Sequence, residues 1–255
     1  MRVVSLVPSL TLTLFDLGLD ATSIVGRTPW CIHPADQVNK VPVVGGTKTP
    51  TRSKIIQAQP DLVVLDRDEN PKAIYDWCQE QGYATYVCHV KHPSDVPAMV
   101  RELSRAVDCE AKGESMAKEL EQTLASLPAG GNEKALPIIW HEPLMAANAT
   151  TYAGGMISCL GFDVVNIDPD GNGYPEVTPA SIKQHGIGHL FFSSEPYEFN
   201  RQEGEQVADE VEGIGGTRPL VHLIDGEALT WMGSHTNEGL KHLLNLRSEL
   251  GLDDE

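Results

Sequence analysis

Seven short stretches of this chain concentrate the side chains that could do chemistry. They are Pro8-Ser9, Arg27-Thr-Pro-Trp-Cys-Ile-His33, Gly45-Gly-Thr-Lys48, Asp66-Arg-Asp-Glu-Asn70, His141-Glu-Pro143, Ser194-Glu-Pro-Tyr-Glu198 and Thr230-Trp-Met-Gly-Ser-His235. Cys31 and His33 stand two apart on a segment that reads as extended, so both point the same way and could share a soft divalent metal with His141. The competing reading is a buried thiol beside a hydrogen-bonded imidazole. His141 and Glu142 could ligate a metal or pair as base and orienter, but Pro143 follows at once and no HExxH is present. That excludes the helix of a zinc protease, and a salt bridge or cap remains open for Glu142. Glu195 could bind a cation or a ligand amide, or cap the next helix. Gly45 to Lys48 could cradle a phosphate, yet the glycine-lysine-hydroxyl order of a P-loop is missing and a plain turn is the alternative. Trp30, Trp140 and Trp231 could stack on a planar ligand or pack in a core. No GxGxxG follows a strand, there is no GxSxG elbow, and nothing places a base beside Ser9, Ser194 or Ser234. By themselves these residues leave ligand binding and catalysis both open. A metal-dependent enzyme or metal-binding protein using Cys31, His33, His141, Glu142 and Glu195 is the rival.

The elements that must position these stretches alternate. Apolar, β-branched runs predict strands at residues 3–7, 23–26, 41–44, 62–65 and 85–90, with helices at 10–17, 52–58 and 71–81. Pro8-Ser9 is expected to break the first strand and Gly18 to stop the first helix. Residues 95–127 read as helical almost throughout, ended by Pro128-Ala-Gly-Gly-Asn132. A second alternating region follows, with strands at 138–140, 164–167, 189–193 and 220–224 and helices at 152–159, 179–185 and 238–250. Thr49-Pro and Thr178-Pro each open a helix-turn-strand sequence, a weak echo between the halves. The pattern implies an α/β fold with mainly parallel sheets: an N-terminal lobe over 1–110, a connecting helix over 111–132 and a C-terminal lobe over 133–255. Ligands of such sheets bind beyond the carboxyl ends of the strands. All seven stretches fall there, so a ligand held in a cleft between the lobes is the expectation.

Composition narrows the partners. The 255 residues carry 36 acidic against 19 basic side chains, a net charge of −17. That disfavours nucleic acid, whose phosphates need a basic face, and also an anionic membrane surface; it fits a highly soluble protein. No apolar stretch approaches the roughly 20 residues of a membrane-spanning helix. Five cysteines, an odd number without CxxC spacing, suit a reducing compartment. No leader-like segment precedes the first strand, so the chain as given is expected in the cytoplasm, with the periplasm as the alternative if its start is incomplete. The acidic end, Leu252-Asp-Asp-Glu255, is expected to fray.

Several of these segments together carry a resemblance. Val3-Val-Ser-Leu-Val-Pro-Ser-Leu-Thr, Val25-Gly26, Pro34, Val44-Gly45-Gly46, Ile55-Ile56 and Pro60-Asp-Leu-Val-Val64, with Tyr174-Pro-Glu-Val-Thr178 and Thr230-Trp231, resemble the class III, helical-backbone solute-binding proteins of ABC transporters. This group includes vitamin B12-binding and siderophore-binding proteins. The resemblance implies two Rossmann-like lobes joined by one long helix, and a cobalamin-like corrinoid or metal chelate as ligand. Cleft aromatics of the B12 binder fall on Trp30, Tyr174 and Trp231, while another falls near Thr47, which cannot stack. Pro8, Ser9, Trp140 and Glu195 complete the expected ligand set. An ABC permease is the implied partner, but the two glutamates that dock onto it fall on Ser53 and Ala180, which carry no charge.

Overall fold

The computed structural model describes residues 1–128 and 130–249; the acidic end at 252–255 lies outside them. The chain divides into two compact units, each an α/β assembly. The first holds Met1–Val90, Asp95–Glu121 and Met232–His235; the second holds Lys91–Ser94, Gln122–Trp231 and the chain from Thr236 onward.

In the first unit the elements run β1 (Val3–Ser5), α1 (Pro8–Asp16), β2 (Ile24–Gly26), α2 (Ala35–Val38), α3 (Arg52–Ala58), β3 (Leu62–Asp66), α4 (Lys72–Glu80), β4 (Ala84–Cys88), α5 (Val96–Ala106) and α6 (Glu110–Ala125). The sheet order is β2-β1-β3-β4 and every pairing is parallel, with Val3 opposite Leu62 and Ser5 opposite Val64. β1 and β3 are buried at every position, as strands covered on both faces must be. Their apolar residues form a core with Val44, Ile55, Ile74, Trp77 and Cys78. The chain leaves β1 for β2 on one side and then supplies β3 on the other, so the strand order switches at β1, the place where parallel sheets form their crevice beyond the carboxyl ends of the strands.

The second unit adds β5 (Lys134–Trp140), β6 (Met145–Ala146), α7 (Tyr152–Ser158), β7 (Asp163–Val164), α8 (Pro179–His185), β8 (His189–Ser193), α9 (Arg201–Gly213), β9 (Leu220–Ile224), α10 (Gly226–Thr230) and α11 (Thr236–Glu249). Its sheet runs β6-β5-β8-β9, with β7 also on β5. Only β6 is antiparallel among the described strands. Leu136, Ile138, Leu190, Phe192, Ala208 and Val211 fill its core.

α6 runs from the first unit into the second, its first twelve residues belonging to the first. The expected continuous helix over 95–127 is two helices. Asp108 adopts a positive φ of 56° and ends α5. Gly113 lets α6 lie against Ser104 of α5, and Arg101 grips Glu114 and Glu121 at 2.6 Å each.

Other boundaries moved for physical reasons. Pro8 starts α1 instead of breaking a strand, because the first helical position needs no N–H. Residues 41–44 form no strand; only an isolated parallel bridge joins Val43 to Arg27. α9 stands where no helix is expected, because its face is polar except for Val207, Ala208 and Val211. Its signal was the Asn200-x-x-Glu203 capping box, which is formed in full. Thr178 caps α8 in the same way, while Thr51 gives α3 no side-chain cap, so the echo between the two Thr-Pro segments is partial. Among the described residues no helix is long and apolar enough to cross a membrane.

Candidate functional site

In the first unit, the loop after β2 turns one side chain in and the next out. The buried guanidinium of Arg27 donates to the carbonyls of Val41, Thr28 and Cys31, each at 3.1 Å. This clamp holds Cys31 inside, where its Sγ meets Thr11 Oγ1 at 3.1 Å and Thr28 Oγ1 at 3.2 Å. Burial pushes the Cys31 thiol up, away from the thiolate a metal needs. The neighbouring Trp30 is 63% exposed. His33 is half-buried and precedes a cis proline. Among the described residues no three His, Cys, Asp or Glu side chains stand together as a metal site. Cys31 is thus held as a packing thiol by Thr11 and Thr28.

Beyond β3, Asp66 is buried and its Oδ1 accepts from the backbone N–H groups of Asp68 (2.8 Å) and Glu69 (3.0 Å). Asn70 closes the turn. Its Oδ1 accepts from the Asp66 N–H, and its Nδ2 donates to the carbonyls of Leu6 (3.2 Å) and Thr47 (2.9 Å). Asn70 thereby ties Leu6, just past β1, and Thr47 to the 66–70 turn beyond β3. Burial raises the Asp66 carboxyl. Burial first, and the Asp66 charge second, raise Glu69 to about 8, opposed by Lys48. The Gly45-Gly-Thr-Lys48 segment is a turn, not a phosphate nest. Gly45 packs against the backbone of residues 49–51 at a φ of 120°, and the Lys48 ammonium donates to the Asp68 carbonyl at 2.7 Å.

In the second unit, β5 ends in Trp140, which is 40% exposed and donates from Nε1 to the Glu142 carbonyl at 3.1 Å. Behind it lies an aromatic stack. Tyr197 meets Trp140 edge-on at 6.2 Å and lies flat on His141 at 5.1 Å, while Phe199 abuts both His141 and Tyr197. Tyr197 donates its hydroxyl to Glu203 Oε1 at 2.7 Å. The His141–Glu142 contact is long, at 3.9 Å, and Glu142 is exposed. Tyr197 and Phe199 carried no role in the sequence reading; their alternation two residues apart just after β8 was the available signal.

Trp231 departs from expectation. It is 6% exposed, and its Nε1 donates to Glu195 Oε2 at 3.2 Å. Gly226 makes this possible, because any Cβ there would collide with the Glu195 backbone. The Trp231 ring is thus buried, with its indole N–H on Glu195. Glu195 does not cap α9, since Asn200 does. Tyr174 is half-buried, with its N–H on Asn172 Oδ1 at 3.0 Å.

Residues 3–177 match the family model described as periplasmic binding protein. The chain belongs to this family. The family is one of binding proteins. Solved structures of this family share the fold at low identity. The vitamin B12-binding protein BtuF of Vibrio cholerae superposes with a TM-score of 0.77 at 17% identity, covering 98% of this chain and 97% of that one. The heme-binding protein HutB of Vibrio cholerae gives 0.76 at 18%, covering 96% and 98%. The heme-binding protein RhuT from Roseiflexus sp. RS-1 gives 0.74 at 18%, covering 97% and 98%. Among curated proteins, no sequence matches this one significantly.

Proposed function

We propose that this periplasmic binding protein captures a flat metal chelate of the corrinoid or porphyrin class for an ABC permease. The observation that carries the reading is the pair of open indoles, Trp30 beyond β2 and Trp140 beyond β5. Each stands at the carboxyl edge of its own sheet, where ligands of parallel sheets bind. An indole left in water at such an edge is a ready stacking face for a planar ligand. The relatives named for vitamin B12 and for heme share the fold and bind ligands of this flat class.

The test is titration with hemin and with cyanocobalamin, followed by tryptophan fluorescence quenching. One of the two is expected to saturate at a 1:1 ratio. Trp30→Ala and Trp140→Ala should each weaken it about fivefold, the equivalent of about 1 kcal/mol of stacking per ring, with an unchanged unfolding midpoint. Binding of neither chromophore would sink the proposal.

The permease contact differs in charge from the one the resemblance implies. Ser53 sits exposed on α3 between Arg52 and Lys54, and Ala180 sits exposed on α8. Neither offers a carboxylate to a transporter arginine. The protein is expected to leave the ATPase rate of a reconstituted B12-type transporter unchanged at low concentration. A stimulated rate would show that docking does not need those charges.

A further inference from the structure

We infer that the amino end of α1 is an oxyanion-binding subsite, built to take a carboxylate or phosphate group of the ligand. This deepens the function proposed above and rests on it only for the molecule that carries the anion.

The inference begins with Ser9. It is 2% exposed, and its Oγ is buried without a hydrogen-bond partner among the described residues. A buried hydroxyl left unpaired is costly, and native proteins seldom leave one without a reason. Ser9 is the second residue of a nine-residue helix. Side chains on a helix tilt toward its amino end, so this hydroxyl leans toward the mouth of α1.

The backbone there is also short of acceptors. Val7, the N-cap, provides no side-chain cap, and Pro8 at the first position has no N–H to offer. The first hydrogen bond of the helix runs from Thr11 N–H to the Val7 carbonyl at 2.9 Å, which leaves the N–H groups of Ser9 and Leu10 without an acceptor among the described residues. Two backbone donors, one hydroxyl and the positive end of the helix dipole thus converge. α2, α3, α4 and α5 also lack a side-chain cap, so it is the buried orphan hydroxyl at the first turn that singles out α1.

Position supports the same conclusion. α1 begins where β1 ends, at the strand-order switch of the first unit, and the Leu6 carbonyl is tied to Asn70 across that crevice. Glu69 at the crevice carries a carboxyl raised to about 8, so it is mostly uncharged at pH 7 and repels an anion little. The Lys48 ammonium reaches that turn from the 45–48 segment, donating to the Asp68 carbonyl.

The experiment titrates the full 15N-labelled chain with inorganic phosphate and, separately, with acetate, using chloride at matched ionic strength as the control. Saturable shifts of the Ser9 and Leu10 amide resonances with phosphate or acetate, absent with chloride, are expected. The tighter of the two anions names the group the ligand carries. Ser9→Ala should weaken that binding about tenfold, since a hydrogen bond to a charged group is lost. The variant should also unfold no earlier than wild type without anion, because it removes an unpaired hydroxyl. Unmoved Ser9 and Leu10 resonances, equal shifts with chloride, equal affinity in Ser9→Ala, or an earlier midpoint for that variant would each overturn the inference. Failure of hemin and cyanocobalamin to bind while phosphate still moves these amides would instead sink only the flat-chelate reading.

Discussion

Phe192→Ala is expected to destabilise the protein by about 3–5 kcal/mol, the range for emptying a large aromatic from a packed core. Phe192 is fully buried in β8, within the core of the second unit. Gly204 of α9 lies against its ring, and Phe199 meets it edge-on at 5.1 Å. The consequence reaches the candidate site, because Phe199 in turn supports Tyr197 at 4.7 Å and His141 at 6.0 Å. Urea unfolding measures the first effect. Chromophore titration, under conditions where the variant is still folded, measures the second. Phe192→Leu, which keeps most of the volume, should lose less than about 1.5 kcal/mol. A loss below about 1 kcal/mol for the alanine variant would mean that α9 closes onto the gap, and the proposed support of the aromatic stack would fall.

Acid should weaken the second unit through one buried pair. His189 on β8 and His222 on β9 are both buried, with His189 Nδ1 and His222 Nε2 3.0 Å apart. Their rings stack, flanked by Phe162 and Phe191, and His189 Nε2 lies 3.4 Å from Glu133 Oε2. Burial first, then His189 and the Arg201 charge, lower His222 from 6.5 to about 4. Above pH 6.5 the imidazole is neutral whether the chain is folded or not, and its contribution is intact. Between 6.5 and about 4 the unfolded chain takes a proton that the folded one refuses, so stability is lost as pH falls. Below about 4 both states are protonated and the loss levels off. The difference of about 2.5 pH units corresponds to about 3 kcal/mol in total. Unfolding free energies measured from pH 7 to pH 4 should therefore fall more steeply for wild type than for His222→Gln, which cannot titrate. Parallel pH profiles for the two proteins would assign the acid loss to other groups.

Much of this protein was readable from its sequence because the signals are local. Buried parallel strands appear as unbroken apolar runs, so 189–193 and 220–224 match β8 and β9 residue for residue. The helices at 52–58 and 179–185 are equally plain. The alternation of such elements fixed the α/β class and the strand-end location of the polar stretches, and short motifs such as Val3 to Thr11 and Pro60 to Val64 carried the family. What the sequence could not decide was the direction in which each polar or aromatic side chain points. Trp30 and Trp231 read alike as aromatics after strands. One is turned outward by the Arg27 clamp on the turn it occupies. The other is drawn in by Glu195, a residue 36 positions away that approaches only because position 226 is glycine. Cys31 and His33 share a spacing suited to a metal, yet two threonines from separate segments claim the thiol. The orphan hydroxyl of Ser9 and the His189–His222 pair exist only where distant strands and helices have packed, because burial and hydrogen-bond partnership belong to the assembled fold and to no residue alone.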